Sequence, residues 1–209
     1  MSRELSYPAL VVWFTGLPGS GKTTIARGVY EKTINSFPNP SDRQKIALVE
    51  MDSIRKKIFP DPTYSDEERD AAYRAFVMMG SLLSSNGVAV LLDGVGHKRI
   101  WRELAREECP NFAEVYVKCP IEICIQRETG RIGDKVREKL YQDALERLKS
   151  GRKIEGLGKV PGLDESYEKS ASPEIVIDSS TKSPGSLIDQ TLKALSKFDP
   201  QLFYIGLRN

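Results

Sequence analysis

The sequence predicts a three-layer α/β/α domain built on a five-stranded parallel sheet and closed by a helical lid. Three observations carry that reading. Short apolar runs alternate with helical patterns along the chain, the order that yields parallel strands joined by helical crossovers. The runs are apolar almost throughout, as in Val88-Ala-Val-Leu-Leu92, which fits strands buried on both faces. The first run joins the first helical pattern through a glycine-rich turn, Gly16-Leu17-Pro18-Gly19-Ser20-Gly21-Lys22-Thr23-Thr24.

The elements follow in order. Strands are expected at 10–15, 46–50, 88–92, 113–118 and 174–178. Helices are expected near 22–35, 53–58, 66–85, 98–107, 120–127, 134–150 and 184–197. The first strand, Leu10-Val-Val-Trp-Phe14, is wholly apolar, and the helix after the glycine turn begins at Lys22. Residues 35–44, rich in Pro, Asn and Ser, read as an exposed loop. Pro120 suits the first turn of the fifth helix, where its missing N–H costs nothing. A lid is expected over about 128–168. Residues 150–172, with four glycines and Pro161, read as a mobile segment. The dense charges of 134–150 read mainly as a solvated face. The tail 198–209 is apolar for a terminus, so it docks on its own domain or makes a subunit contact, leaving a homodimer open.

Bulk composition narrows the function classes. The 209 residues are 40% hydrophobic and 29% charged, which suits one domain over 1–209 with a sizeable core. Thirty-one basic against 29 acidic residues leave a net charge of +2, which gives no support to nucleic-acid or membrane-surface binding. No apolar run approaches the roughly 20 residues of a membrane span, and the first eight residues lack the apolar core of a signal peptide. Cys109, Cys119 and Cys124 show no metal-ligand spacing and read as small buried hydrophobes. A soluble protein of a reducing cytoplasm is expected.

The glycine turn carries the strongest chemical signal. It matches G-x-x-x-x-G-K-[ST], in which backbone N–H groups cradle a polyphosphate, the lysine reaches the β- and γ-phosphates and the hydroxyl ligates Mg²⁺. Strand before and helix after are the context this loop requires, and they aim a helix N-terminus at the anion. ATP and Mg²⁺ are therefore expected, with Gly16 to Thr24 holding the nucleotide and Lys22 stabilising transferred charge.

In parallel sheets, ligands sit beyond the carboxyl ends of the strands, so the residues there are the remaining candidates. Asp52, after the second strand, is read either as an N-cap or as the carboxylate that orients an acceptor hydroxyl. Arg55 falls one turn on, where its fork suits phosphate or sulfate oxygens. Asp93 ends the third strand and is read either as a holder of Mg²⁺ together with Thr23 or as a substrate-binding or turn residue. Gly94, Val95 and Gly96 follow, the glycines allowing close backbone approach to a substrate. His97, the single histidine, is read as a polar loop residue. Arg127 and Arg131 are placed like lid arginines that close over a triphosphate.

These segments together resemble the adenylylsulfate (APS) kinases, P-loop NTPase-fold enzymes that transfer the ATP γ-phosphate to the ribose 3′-hydroxyl of adenylylsulfate. Phe14-Thr-Gly-Leu-Pro-Gly-Ser-Gly-Lys-Thr-Thr-Ile-Ala26 is similar to the family's phosphate-loop segment, and Glu50-Met-Asp-Ser-Ile-Arg55 to its Asp-Gly-Asp-Asn-x-Arg motif. Ser65-Asp-Glu-Glu-Arg69 with Arg74 resembles the helix that supplies arginines to the substrate. Cys119–Arg127 resembles the lid entrance, and Gly162–Glu168 with Ser172–Asp178 the lid exit and last strand. The resemblance implies an acceptor site of Asp52, Arg55, Arg69, Arg74, Gly94, Val95, Gly96 and Lys159, and an acceptor carrying an anionic group.

The departures gather on the acceptor side. Glu50 and Met51 stand where the family has Asp and Gly, Ser53 where it has Asn, and Ala72 and Ala75 where its helix carries Asn and a second Arg. Gly94-Val-Gly-His97 replaces a Phe-Ile-Ser-Pro segment, and 128–158 is longer than the family's lid. The sequence thus leaves three functions in order: an adenylylsulfate kinase, a related kinase acting on another nucleotide, sugar or antibiotic hydroxyl, and a nucleotide-binding regulator without phosphoryl transfer.

Overall fold

The computed structural model describes residues 8–129, 140–152, 154 and 157–203. Five strands, β1 (Val11–Thr15), β2 (Ile46–Glu50), β3 (Ala89–Asp93), β4 (Phe112–Lys118) and β5 (Ile175–Asp178), form one sheet in the order β2-β3-β1-β4-β5. Every neighbouring pair is parallel, with Phe14 beside Asp93 and Val115. The helices are α1 (Lys22–Ser36), α2 (Met51–Ile58), α3 (Asp66–Ser85), α4 (Arg99–Glu108), α5 (Ile121–Thr129), α6 (Leu140–Ser150) and α7 (Pro184–Leu195).

Alternation along β1 divides the core. Val12 and Phe14 pack with Ile25, Val29, Leu187 and Leu192 of α1 and α7. Val11 and Trp13 face the other way, toward Tyr73, Phe76, Trp101 and Ala105 of α3 and α4. Because both faces are covered, all five residues of β1 and all five of β3 are buried, which is why these strands read as unbroken apolar runs. A third cluster of Cys119, Cys124, Tyr141, Ala144 and Val160 seats the base of the lid against Leu17 and Ile121. Leu202 and Phe203 are buried in the first cluster, so the tail as far as residue 203 docks on its own chain.

Several boundaries differ from the sequence reading. The loop at 35–44 gives way to a 3₁₀ turn over Pro40–Lys45. α2 starts at Met51 rather than 53, because Met51 is itself buried against the core. Asp52 is therefore inside the first turn, and Glu50 occupies the N-cap position. The helix expected over 134–150 is described from Leu140, and 134–139 lie outside the described residues. No helix among the described residues is long and apolar enough to cross a membrane.

One buried charge network ties the far end of the sheet together. Arg102 of α4 and Glu114 of β4 are 1% exposed each, with Nε to Oε1 at 3.3 Å. Glu114 also accepts from Ser170 Oγ at 2.7 Å. Removing one partner of such a pair strands the other charge in a low-dielectric interior, at a cost of about 3–5 kcal/mol. Glu114→Ala is expected to lower the urea midpoint by that amount of stability, and Glu114→Gln by less, because the amide still accepts a hydrogen bond.

Candidate active site

The phosphate loop is shaped from outside. Tyr141 Oη donates to the Pro18 carbonyl at 2.8 Å, and Ser179 Oγ donates to the Ser20 carbonyl at 2.7 Å. Arg127 Nη1 reaches the same Ser20 carbonyl at 3.5 Å while its Nη2 donates to the Ser179 carbonyl at 2.6 Å. Gly19 sits at φ 77°, and a Cβ there would come within 2.5 Å of the Cys124 carbonyl oxygen. Only glycine lets the loop lie this close to α5. Lys22 and Thr23 then open α1, whose N-terminus faces a cleft of about 1070 Å³ beyond the carboxyl ends of β1, β2 and β3.

The cleft gathers much of what the sequence predicted. Pro18, Gly19, Gly21, Lys22, Thr23, Thr24, Asp52, Arg55, Arg69, Asp93, Gly94, Val95 and Lys159 all line it. Asp93 is 6% exposed, hydrogen-bonds the Thr23 side chain and feels Lys22, and its Oδ1 meets no protein partner. Burial pushes its carboxyl up, with Lys22 and Thr23 pulling back. A hydroxyl and a carboxylate with an unused buried oxygen match the hard oxygen donors that Mg²⁺ takes alongside phosphate and water. No group of three or more His, Cys, Asp or Glu that could hold a metal occurs among the described residues, so Thr23 and Asp93 fit a cation that shares its ligands with a phosphate rather than a closed protein cage.

Arg55 is buried and paired with Glu68, Nη1 to Oε1 at 2.9 Å, and its guanidinium lies 5.2 Å from the Tyr64 ring centroid. Glu68 also receives the Thr63 and Tyr64 N–H groups at 2.5 and 3.1 Å. That folds the 63–64 turn onto Arg55 and leads into the Ser65 N-cap of α3. Arg69 donates to the Tyr64 carbonyl at 3.1 Å and to the Lys159 carbonyl at 2.5 Å, so it latches the returning lid segment onto α3. Arg147 holds the same segment through the Leu157 and Gly158 carbonyls and pairs with Asp164. The Lys159 side chain is 3.7 Å from Glu165.

Other expected residues lie elsewhere. Arg74 is 58% exposed and paired with Asp70 on the outer side of α3, away from the cleft. Arg127 braces the phosphate loop from behind and does not line the cleft. Gly16, Leu17 and Ser20 shape the loop's far side, Leu17 packing in the lid-base cluster. Gly96 packs beneath the cleft wall: its φ is 50°, a Cβ would fall 2.8 Å from Trp13 Cζ2, and its N–H donates to Tyr73 Oη at 2.9 Å. Arg131 lies outside the described residues.

Two cleft residues escaped the sequence reading. His97 is 2% exposed, packs edge-on to Trp101 at 5.1 Å and lines the cleft, where no more than a polar loop residue was expected. Tyr73 lines it too, stacked on Trp101 at 4.2 Å. The signal for Tyr73 was its i+4 spacing from Arg69, which puts both on one face of α3.

The sequence matches the family described as adenylylsulphate kinase over residues 8–178. The chain belongs to the adenylylsulfate kinase family. It is 36% identical over 170 residues to a probable adenylyl-sulfate kinase of Archaeoglobus fulgidus, covering 81% of this chain and 96% of that protein. A probable adenylyl-sulfate kinase of Pyrococcus abyssi is 34% identical over 174 residues, covering 83% and 87%. In fold, the chain is similar to the Mycobacterium tuberculosis APS kinase solved with AMPPNP and APS, with a TM-score of 0.71 at 22% identity, covering 90% of this chain and 98% of that one. In this adenylylsulfate kinase family member, the loop Gly94–His97 packs on Trp13, Tyr73 and Trp101.

Two outcomes follow. Asp93→Asn is expected to raise the melting temperature of the nucleotide-free protein, since it removes a buried carboxylate whose burial Lys22 and Thr23 offset only in part. The same substitution is expected to abolish the extra thermal shift that Mg²⁺ adds to ADP, and differential scanning calorimetry checks both. His97 is held down to about 3, first by burial and then by Arg69 and Lys98, against 6.5 ordinarily. Below pH 6.5 the unfolded chain takes up a proton that the folded one refuses, so this contribution to stability is full above that pH. It is lost as pH falls, by up to about 1.4 kcal/mol per unit. His97→Gln should flatten the urea-midpoint profile between about pH 6 and 4.

Proposed function

We propose that this protein is an ATP-dependent adenylylsulfate kinase, transferring the ATP γ-phosphate to the 3′-hydroxyl of adenylylsulfate in a reducing cytoplasm. The observation that carries the reading is the convergence of Lys22, Thr23 and Asp93 with Asp52, Arg55 and Arg69 on a single cleft. Membership of the family and the named relatives support the acceptor. Three buried free thiols support the compartment.

The division of labour follows from position. The phosphate-loop amides and Lys22 grip the β- and γ-phosphates and draw off charge as the terminal group is transferred. Thr23 and Asp93 would hold Mg²⁺, which would supply charge neutralisation to the phosphates during transfer. Asp52, on the first turn of α2 and turned to the cleft, orients the acceptor hydroxyl and accepts its proton. Arg69 and Arg55 face the acceptor's anionic group. Arg55 is the more rigid because Glu68 fixes it, and Arg69 also keeps the lid segment in place. Arg127 acts by keeping the Ser20 carbonyl outside the loop.

A coupled ADP-release assay with adenylylsulfate tests the reading. Wild-type protein should turn over adenylylsulfate, Lys22→Ala should lose at least about 10³-fold in kcat, and Asp52→Asn about 10²–10⁴-fold with little change in the KM for ATP. Retained activity in Lys22→Ala would overturn the phosphate-loop role. ADP release with another hydroxyl acceptor but not with adenylylsulfate would favour the related-kinase reading, to which the Gly94–His97 loop points. ATP binding without ADP release for any acceptor would mean a regulator.

A further inference from the structure

The acceptor side of the cleft contains a feature that charge alone does not use. His97 is 2% exposed, and its Nε2 meets no hydrogen-bond partner in the protein. An unpaired imidazole nitrogen in the interior is costly unless something arrives to pair with it. Nearby, the Tyr73 hydroxyl accepts from the Gly96 N–H at 2.9 Å, which leaves its own proton to donate. Both side chains line the cleft. Both lean on Trp101, which Asp70 fixes through Nε1 at 2.9 Å. The backbone around them is rigid: Trp13 Nε1 donates to the Gly94 carbonyl at 2.9 Å, Thr15 Oγ1 donates to the Val95 carbonyl at 2.6 Å, and Arg102 donates to the Gly96 carbonyl. A pair of hydrogen-bonding groups held this firmly cannot swing away to water when a mismatched ligand enters.

We propose that His97 and Tyr73 form an uncharged recognition pair that hydrogen-bonds a neutral polar group of the acceptor, a base heteroatom or a hydroxyl, and so sets which acceptor is used. The pair complements Arg55 and Arg69, which face the anionic part. The imidazole stays neutral across the working pH range, because burial and the neighbouring Arg69 and Lys98 oppose its protonation. Selectivity from such a pair is steep. A site built to hydrogen-bond a substrate group rejects analogues lacking that group, since its own polar atoms are then left buried and unpaired. The inference rests on the kinase reading and adds a specificity determinant to it.

The test uses the full chain with adenylylsulfate as the probe. The variants are His97→Ala, His97→Gln and Tyr73→Phe. Both tryptophans of the chain, Trp13 and Trp101, contact the Tyr73 ring, so their fluorescence reports adenylylsulfate binding independently of turnover. His97→Ala should raise the KM and the fluorescence Kd for adenylylsulfate about 10- to 100-fold, with the KM for ATP within about twofold of wild type. His97→Gln, which keeps a hydrogen-bonding side chain, should recover most of that loss, and Tyr73→Phe should lose affinity in the same sense. The ratio of His97→Ala to wild-type Kd should not change between low and physiological salt, because a neutral contact is not screened. An unchanged adenylylsulfate Kd in all three variants overturns the proposal. So does a loss shared equally by ATP and adenylylsulfate, or failure of all three to fold, either of which makes the pair structural. A wild-type protein that ignores adenylylsulfate in both readouts would instead sink the functional reading.

Discussion

The carbonyls of Pro18 and Ser20 are the constraint on which the site depends. A phosphate loop binds anions only if its amides, and not its carbonyls, face inward, and an unheld glycine-rich segment has no reason to choose that arrangement. Here the choice is imposed by Tyr141 from the base of the lid, Ser179 after β5 and Arg127 at the end of α5. Each comes from a different part of the chain, so the loop takes its shape only once the sheet and the lid base are assembled. Helix α6 is therefore part of what shapes the loop: its Tyr141 holds the Pro18 carbonyl in place.

A second set of ties joins the acceptor loop to the lid's return. Tyr167 meets Thr15 at 2.8 Å and stacks on Tyr116, while Arg102 lies over its ring and donates to the carbonyls of Gly96 and Glu168. The Glu168 N–H donates in turn to the His97 carbonyl at 2.8 Å. Thus the residues after β3 and the residues after the lid are fixed to the same buried guanidinium. Movement of the lid return would be felt at Gly96 and His97 through rigid contacts, with no mobile intermediary required.

The sequence made the nucleotide half legible because that half is encoded locally. Nine consecutive residues, a strand before them and a helix after them specify the loop, and Asp93 is found by counting to the end of an apolar run. The acceptor half is encoded by tertiary packing, and there local reading slipped. Arg74 looked equivalent to Arg69, yet five residues turn a helix by about 140° off the face, so Arg74 meets solvent and Asp70. Ser65 caps α3 by accepting from the Glu68 N–H, while the Glu68 side chain reaches across to Arg55 and the 63–64 turn, a contact that no local spacing encodes. His97 gave no signal, because its burial comes from Trp101 and from a loop geometry that no spacing rule describes.

The two halves also differ in how their charges are handled. Polyphosphate is met by main-chain amides, one lysine and a helix N-terminus, a set that tolerates almost no substitution because the backbone itself is the ligand. The opposite part of the cleft is lined by side chains on α2, α3 and the loop after β3, and side chains can be exchanged while the fold stays intact. Arg55 and Arg69 each have a second task there, Arg55 closing the 63–64 turn through Glu68 and Arg69 fastening the Lys159 carbonyl. Exchanging either would therefore disturb the wall of the cleft as well as its charge, which sets these two apart from side chains that only line it.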